Sequence, residues 1–457
     1  MNVINLVKHT FVFMRYRLVL ALPLFALFIS CSVSKQIAKS AKEDMLNSDA
    51  LQTAHVGISI YEPAAGKFWY NYQGDKYFVP ASNTKLPTCY AAMKYLGDSL
   101  VGAKAAIAED SALEVFPSAD PTFLHPDFKT QPLFKFLQHY NVIRWYLTSA
   151  QFLRWGNGWS WNDYEGTDMK ERSSFPIYGN QLTIFLSGDT LKGFPVLPPI
   201  WFSIADSIYN SSNHTVNSHK FSLERNLDKN EFYLRSSSRS FSKLTVPFRA
   251  EPGFISKILN DTLKVENVST FGTATNVVYN PPKTIIHSQP TDSLLKPMMH
   301  HSDNFFAEQS LLMVSNELLG VMNDEKIIDT LLKTDFKDLP QKPRWVDGSG
   351  LSRYNLFTPQ DFVFILNKMK TDFGMERIKT ILPTGNEGTL EGRFVKDSNY
   401  IFAKTGTLSG VVSLSGFLYT KKNKLLIFSV LVNNHNSSAG EIRRAVEKFM
   451  ESIRNRY

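Results

Sequence analysis

Ala81-Ser82-Asn83-Thr84-Lys85-Leu86 is the stretch on which the reading of this 457-residue chain turns. Upstream of it lie two β-rich runs, His55 to Tyr61 and Lys67 to Tyr72, separated by Glu62-Pro63-Ala64-Ala65-Gly66, a spacing that predicts a hairpin. Downstream, the apolar residues from Leu86 to Leu96 recur at helical spacing and Gly97 supplies a stop. Residues three apart share a helix face, so the Lys85 amine can lie beside the Ser82 hydroxyl. A serine is a poor nucleophile without a nearby base, and a lysine becomes that base when its surroundings favour the neutral amine. The Ser-x-x-Lys spacing also occurs at Ser32/Lys35, Ser240/Lys243 and Ser293/Lys296, so the motif decides nothing alone.

The rest of the set selects among them. Ser302-Asp303-Asn304 falls within a helical stretch spanning 291–334, and Lys404-Thr405-Gly406-Thr407 lies on a predicted strand. Further strand-like runs follow at Val411 to Tyr419 and Leu425 to Asn433, with helical patterning at 359–381 and 439–453. Only Ser82 sits between a hairpin and an apolar helix, ahead of both other elements. The order S-x-x-K, S-D-N, K-T-G is that of penicillin-binding proteins and serine β-lactamases.

The chain resembles more closely the D-alanyl-D-alanine carboxypeptidase/endopeptidase family that includes penicillin-binding protein 4 (peptidase family S13). The matching stretches are residues 81–86, Asp120-Pro121, Gly158-Trp159-Ser160-Trp161, Ser302-Asp303-Asn304, residues 347–353, Gly388-Thr389-Leu390 and residues 403–408. The wide gap from Ser82 to Ser302 fits too, because that family inserts extra domains there and compact β-lactamases do not. The resemblance implies an α/β, multi-domain protein with a β-lactamase-like five-stranded antiparallel sheet. Two strands would come from the hairpin and three from 400–433. Helices would cover both faces, with the Ser82 helix buried between the sheet and a helical lobe.

The resemblance also implies roles. Ser82 would attack the carbonyl between the two terminal D-alanines, with Lys85 accepting its proton. Ser302 would relay a proton to the departing amine, and Asn304 would bond the substrate amide and the lysine. Lys404, with Thr405, Gly406 and Thr407, would favour the terminal carboxylate, and the backbone N–H groups of Ser82 and Thr407 would form the oxyanion hole. Peptidoglycan stem peptides are the implied substrates and β-lactams the implied pseudo-substrates. Two departures stand out: Pro87 near the nucleophile, which is comfortable only in a helix's first turn, and Glu387 where the family commonly has Asp. Asp347, Arg353, Trp159 and Trp161 are read as structural, the tryptophans as core or interface residues, and Cys89 as a small packed hydrophobe.

The remaining sequence sets the context. Hydrophobic residues make up 43% and charged residues 20%, which predicts a packed core rather than disorder. Lys8, Arg15 and Arg17 precede an apolar run from Leu18 to Ile29, too short to span a bilayer and suited to a secretory signal starting at Met1 or Met14. Leu27-Phe28-Ile29-Ser30-Cys31 resembles a bacterial lipobox, implying lipidation at Cys31, with an unlipidated signal as the alternative. Export to the periplasm is expected, with an outer-membrane anchor. Residues 1–31 hold three basic and no acidic residues, so their loss lowers the formal charge from +8 to +5. That dispersed surplus does not point to nucleic acid. The ten histidines show no ligand spacing, so neither a metal nor a cofactor is expected.

The chain therefore divides, in expectation, into a signal (1–31), a tether (32–50), a peptidase domain (51–101 and 286–457) and an inserted β-rich module (102–285). The competing functions are a serine β-lactamase and a non-catalytic, lipid-anchored wall-binding protein. The deacylating pattern E-x-x-L-N of one β-lactamase class occurs only at Glu43 to Asn47, upstream of Ser82.

Overall fold

The computed structural model describes residues 33–457 apart from 148–149, 198–201, 206–207, 211, 214, 266, 272–282 and 397, so the expected signal and Cys31 lie outside the described residues. The central sheet has the strand order Ile401–Leu408, Val411–Tyr419, Leu425–Asn433, His55–Glu62, Lys67–Tyr72, antiparallel throughout. Successive side chains on a strand point to opposite faces. In Leu425–Asn433, accordingly, Ile427 and Leu431 join one core while Leu426, Phe428, Val430 and Val432 join the other. Both faces are covered, which is why this strand reads as an almost unbroken apolar run.

One face carries the helical lobe: Lys85–Tyr95, Thr291–His300, Asn304–Leu319, Asp324–Lys333 and Pro359–Ile381. The Lys85–Tyr95 helix is buried on all sides from Lys85 to Met93, as the resemblance implied. The other face carries the amphipathic C-terminal helix, Ala439–Arg456, which lays Ile442, Val446, Phe449, Met450 and Ile453 on the sheet.

The segment expected to be a tether is instead docked. Residues 33–41 are α-helical and continue through a π-helical turn, Lys42–Leu46. Ile37, Ala41 and Met45 form a stripe at four-residue spacing, buried against the C-terminal helix. The lysines and acids between them hid that stripe in the sequence.

The insertion begins and ends slightly outside the expected limits. Ser99–Ile107 pairs with Thr284–Pro290, so the two chains enter and leave side by side, and Thr291 N bonds Asp98 O where the chain returns to the helical lobe. The Ala- and Gly-rich run Ser-Leu-Val-Gly-Ala-Lys-Ala-Ala-Ile is a weak strand former by propensity, which concealed the boundary. These two strands belong to a five-stranded sheet completed by Leu113–Pro117, Val142–Tyr146 and Asn267–Phe271. Gln181–Ser187 lies between Thr190–Phe194 and Lys243–Pro247 in a second sheet. Helices Pro132–Leu137 and Pro252–Leu263 accompany the strands, and Trp145, Phe221, Phe232 and Phe248 anchor a separate core. The insertion clamps the Asn304–Leu319 helix through Gln309, whose amide donates to Ala119 O and Ser173 O and accepts from Ser173 N.

Candidate active site

Ser82, the expected nucleophile, stands on a tight turn ahead of the helix. Ala81–Thr84 is a 3₁₀ turn and the α-helix opens only at Lys85, so Pro87 falls in its first turn and removes no needed donor. In a 3₁₀ turn, residues three apart eclipse one another, which brings Lys85 over Ser82. The turn is fastened to the sheet from below: Asn83 Nδ2 donates to Ser415 Oγ at 2.6 Å, and Ser413 Oγ donates to Pro80 O at 2.8 Å. Ala81 has a left-handed φ of 47°. Beside it Gly350, at φ +84°, comes so close that a Cβ there would stand 1.9 Å from Ala81 O. No other residue fits that position.

Lys85 Nζ lies 3.0 Å from Ser82 Oγ, 2.6 Å from Asn304 Oδ1 and 2.8 Å from Ser349 O. Nζ donates to all three oxygens in this arrangement; on losing a proton, the amine can keep its donors on the two carbonyl oxygens and turn its lone pair to the Ser82 hydroxyl. Burial pulls its pKa down to about 8, against the opposing fields of Asp303, Asp347, Glu308 and Asp168. Lys404 is likewise fully buried and held well below its usual value by burial and by the charge of Lys85. Its Nζ donates to Thr405 O at 2.8 Å.

Above these lysines opens a pocket of about 340 Å³. Ser82, Ser302 and Asn304 line one side, Thr405, Gly406 and Thr407 another. Six of the eight expected site residues thus line the pocket, with Lys85 and Lys404 buried behind it. The Lys404 strand runs directly past Ser82, since a Cβ on Gly406 would meet Ser82 N at 2.9 Å. Ser302 adopts a left-handed φ of 58° and borders the pocket without a hydrogen bond to Ser82 or Lys404. Cys31, the expected lipidation site, lies outside the described residues.

Several residues enter that the motifs did not indicate. Arg443, from the C-terminal helix, reaches the pocket and donates from Nη2 to Thr407 Oγ1 at 2.5 Å. Asp168, from the insertion, accepts from Asn304 Nδ2 through its backbone oxygen at 2.9 Å, and its neighbour Lys170 pairs with Asp303 at 3.2 Å. Glu308 stands one turn beyond Asn304, fully buried, and its Oε1 accepts from Ser349 N at 2.8 Å. Burial and the charge of Asp347 push its pKa up to about 7, with Arg172 opposing. An acid inside Phe-Phe-Ala-Glu-Gln-Ser-Leu-Leu was a legible signal. Arg443 left none, because it reads as one more cation on an amphipathic helix.

Asp347 organises the loop that presents Ser349 O to Lys85. Its Oδ1 accepts from Gly350 N and Asn355 Nδ2, and its Oδ2 from Ser352 N and Trp159 Nε1, all within 2.7–2.9 Å. Trp159 is therefore an interface residue, as expected. Trp161 is not: it is 75% exposed, because the 3₁₀ turn Trp161–Asp163 carries it outward. Cys89 is fully buried among apolar neighbours, and its thiol is pushed up to about 12.

The titration of Lys85, the expected base, is testable. The neutral fraction of Lys85 grows as pH rises, so Ser82 acylation should climb about tenfold per unit below pH 8 and level off above it. Glu308 favours the ammonium form, so Glu308→Gln should move this rise to lower pH. Acylation rates of both forms between pH 5 and 10 check the direction.

Comparison with known proteins follows the geometry. The structure is similar to that of penicillin binding protein 4 (dacB) from Haemophilus influenzae, with a TM-score of 0.69 and 19% identity over 91% of this chain and 98% of that one. A complex of that protein with a novel β-lactam is similar with a TM-score of 0.63 and 18% identity, over 92% and 98% of the two chains. In sequence, the chain is 28% identical over 183 residues to the D-alanyl-D-alanine carboxypeptidase DacB of Haemophilus influenzae, a stretch covering 37% of each chain. It is 31% identical over 115 residues to the penicillin-sensitive carboxypeptidase A of Dictyostelium discoideum, which covers 23% of this chain and 22% of that protein. Each alignment with these curated relatives spans well under half of the relative's length. The model of the D-Ala-D-Ala carboxypeptidase 3 (S13) family matches residues 38–453, and the chain belongs to that family.

Proposed function

We propose that the protein is an exported serine DD-peptidase that cleaves the D-alanyl bonds of peptidoglycan stem peptides through an acyl-enzyme. The observation that carries this reading is the set of three contacts at Lys85 Nζ, which hold the amine 3.0 Å from Ser82 Oγ at the wall of an open pocket, where its neutral form can take the hydroxyl proton. Lys85 takes the hydroxyl proton as Oγ bonds to the carbonyl carbon. The oxyanion then faces Ser82 N and the Lys404 strand, where the Thr407 N–H is the second donor. Collapse of the tetrahedral intermediate breaks the C–N bond, and the proton held on Lys85 passes through the Ser302 hydroxyl to the departing amine, which leaves Lys85 and Ser302 neutral. Water then splits the ester and restores Ser82.

The substrate's terminal carboxylate is assigned to the positive end of the pocket, formed by Thr405, Thr407 and Arg443 over buried Lys404. A charge-assisted hydrogen bond contributes about 1.5–3 kcal/mol. Arg443→Ala should therefore lower kcat/KM for a D-Ala-D-Ala peptide roughly 10–100-fold, chiefly through KM. The same peptide ending in an amide should be turned over equally slowly by both forms.

The β-lactamase reading is disfavoured by position. Glu43, the head of the only E-x-x-L-N stretch, is exposed on the N-terminal helical segment and pairs with Lys39. Bound penicillin should consequently leave slowly. Muropeptides incubated with the protein and resolved by mass spectrometry test the main reading: loss of one alanine identifies carboxypeptidase action, dimer-to-monomer conversion identifies endopeptidase action, and unchanged products refute both. The location belongs to the same proposal: a periplasmic protein held to the outer membrane through a lipid on Cys31.

A further inference from the structure

We infer that the end of the molecule remote from the catalytic pocket is a docking face for an anionic phospholipid surface, which turns the active site outward toward the wall. The inference rests on the export and acylation of Cys31 proposed above. Three pieces of chain converge at that end. Lys421 N bonds Arg454 O at 3.0 Å and Lys422 N bonds Tyr457 O at 2.8 Å, so the turn between strands Val411–Tyr419 and Leu425–Asn433 lies against the end of the C-terminal helix. Tyr457 in turn reaches Gln36 Oε1 at 3.1 Å, and Arg456 reaches Gln36 O, in the first described turn of the N-terminal helix. The position of Cys31 in the sequence, two residues before Val33, leaves almost no tether. An acyl chain there would hold this end of the body at the bilayer.

The charge of the face suits that surface. Lys35, Lys421, Lys422 and Arg456 are exposed on it. Lys424 completes the basic turn, tied to Glu62 at 2.9 Å. Beside the turn opens a cleft of about 930 Å³ whose charged walls are Lys379, Lys421 and Arg454, with no carboxylate among the described residues that line it. Its size and sign suit phospholipid headgroups. The catalytic pocket lies at the other end of the same strands: Gly406 pairs with Ser413, whereas the basic turn follows Tyr419. Seven residues of strand separate Ser413 from Thr420, a distance of about 23 Å.

The test uses the mature chain with Cys31→Ser, which isolates the face from the lipid, and vesicles of phosphatidylethanolamine and phosphatidylglycerol (3:1) or of phosphatidylcholine alone. Co-sedimentation should occur with the anionic vesicles only and weaken with salt. Each basic residue near such a surface contributes about fivefold in affinity, so Lys35→Glu/Lys421→Glu/Lys422→Glu should bind at least about a hundredfold more weakly. A control reversal on the insertion, Lys192→Glu/Lys257→Glu/Lys264→Glu, should bind as the parent does. Both triple variants should acylate with penicillin at the parental rate, which shows that they are folded. Equal binding to both vesicle types, or equal loss in the two triples, would overturn the inference. Labelling of the wild-type protein in cells with a fatty-acid probe tests acylation of Cys31 separately, so failure of the anchor is distinguishable from failure of the face.

Discussion

Replacement of Lys85 by alanine is expected to slow acylation of Ser82 by benzylpenicillin roughly 10²–10⁴-fold, the range of a lost general base. The reason is specific to the surroundings of the amine. Among the described residues, Lys85 Nζ is the basic group within hydrogen-bonding distance of Ser82 Oγ. Glu308 lies behind Ser349, and Lys404 donates to Thr405 O, so neither replaces it. Raising the pH should not rescue the variant, because the ionisation that limits the parent below pH 8 is gone. The substitution also strands Asn304 Oδ1 and Ser349 O, and a thermal melt separates that loss of stability from the chemical one. Stopped-flow acylation rates at pH 7 and 9 check the expectation. A rate within tenfold of the parent would assign the base elsewhere.

Asp347→Ala should have the largest effect on stability. Its carboxylate is fully buried and accepts four hydrogen bonds, three of them from its own loop and one from Trp159 of the insertion. Each buried donor left without an acceptor costs about 1–3 kcal/mol, so a loss of at least about 4 kcal/mol is expected by denaturant unfolding. The site should suffer along with the fold. The loop carries Ser349 O, which accepts from Lys85, and Gly350, which packs against the Ala81–Thr84 turn. Acylation should therefore fall in molecules that remain folded. Asp347→Asn should recover little, because its amide nitrogen would face N–H donors on one side. A variant that unfolds at the parental denaturant concentration would show that the loop is held by other contacts.

Much of this was legible in the sequence, for identifiable reasons. The hairpin and the last three strands alternate or run apolar between clear turn residues; Lys67–Tyr72, Val411–Tyr419 and Leu425–Asn433 have the expected limits, whereas His55–Glu62 ends one residue later than expected and Ile401–Leu408 begins one residue later. The three motifs named side chains that the fold brings to one place. What stayed hidden is what motifs do not encode. The Ser349 carbonyl is backbone, and its role depends on a buried carboxylate two residues earlier. Arg443 belongs to a helix whose pattern reports only which face is buried. Asp168 follows from where the insertion happens to dock on the Asn304–Leu319 helix. The docking of the N-terminal helix, where a tether is expected, is hard to see in the sequence because its apolar stripe is narrow, Ile37, Ala41 and Met45 among charged neighbours.

The most direct test of the site is intact-mass spectrometry of the protein after brief exposure to benzylpenicillin, followed by peptide mapping. A gain of one penicillin mass, carried on Ser82 and absent from Ser82→Ala, is the expected result. No adduct, or an adduct on Ser302 or Thr407, would contradict the assignment of Ser82 as the nucleophile and Lys85 as its base.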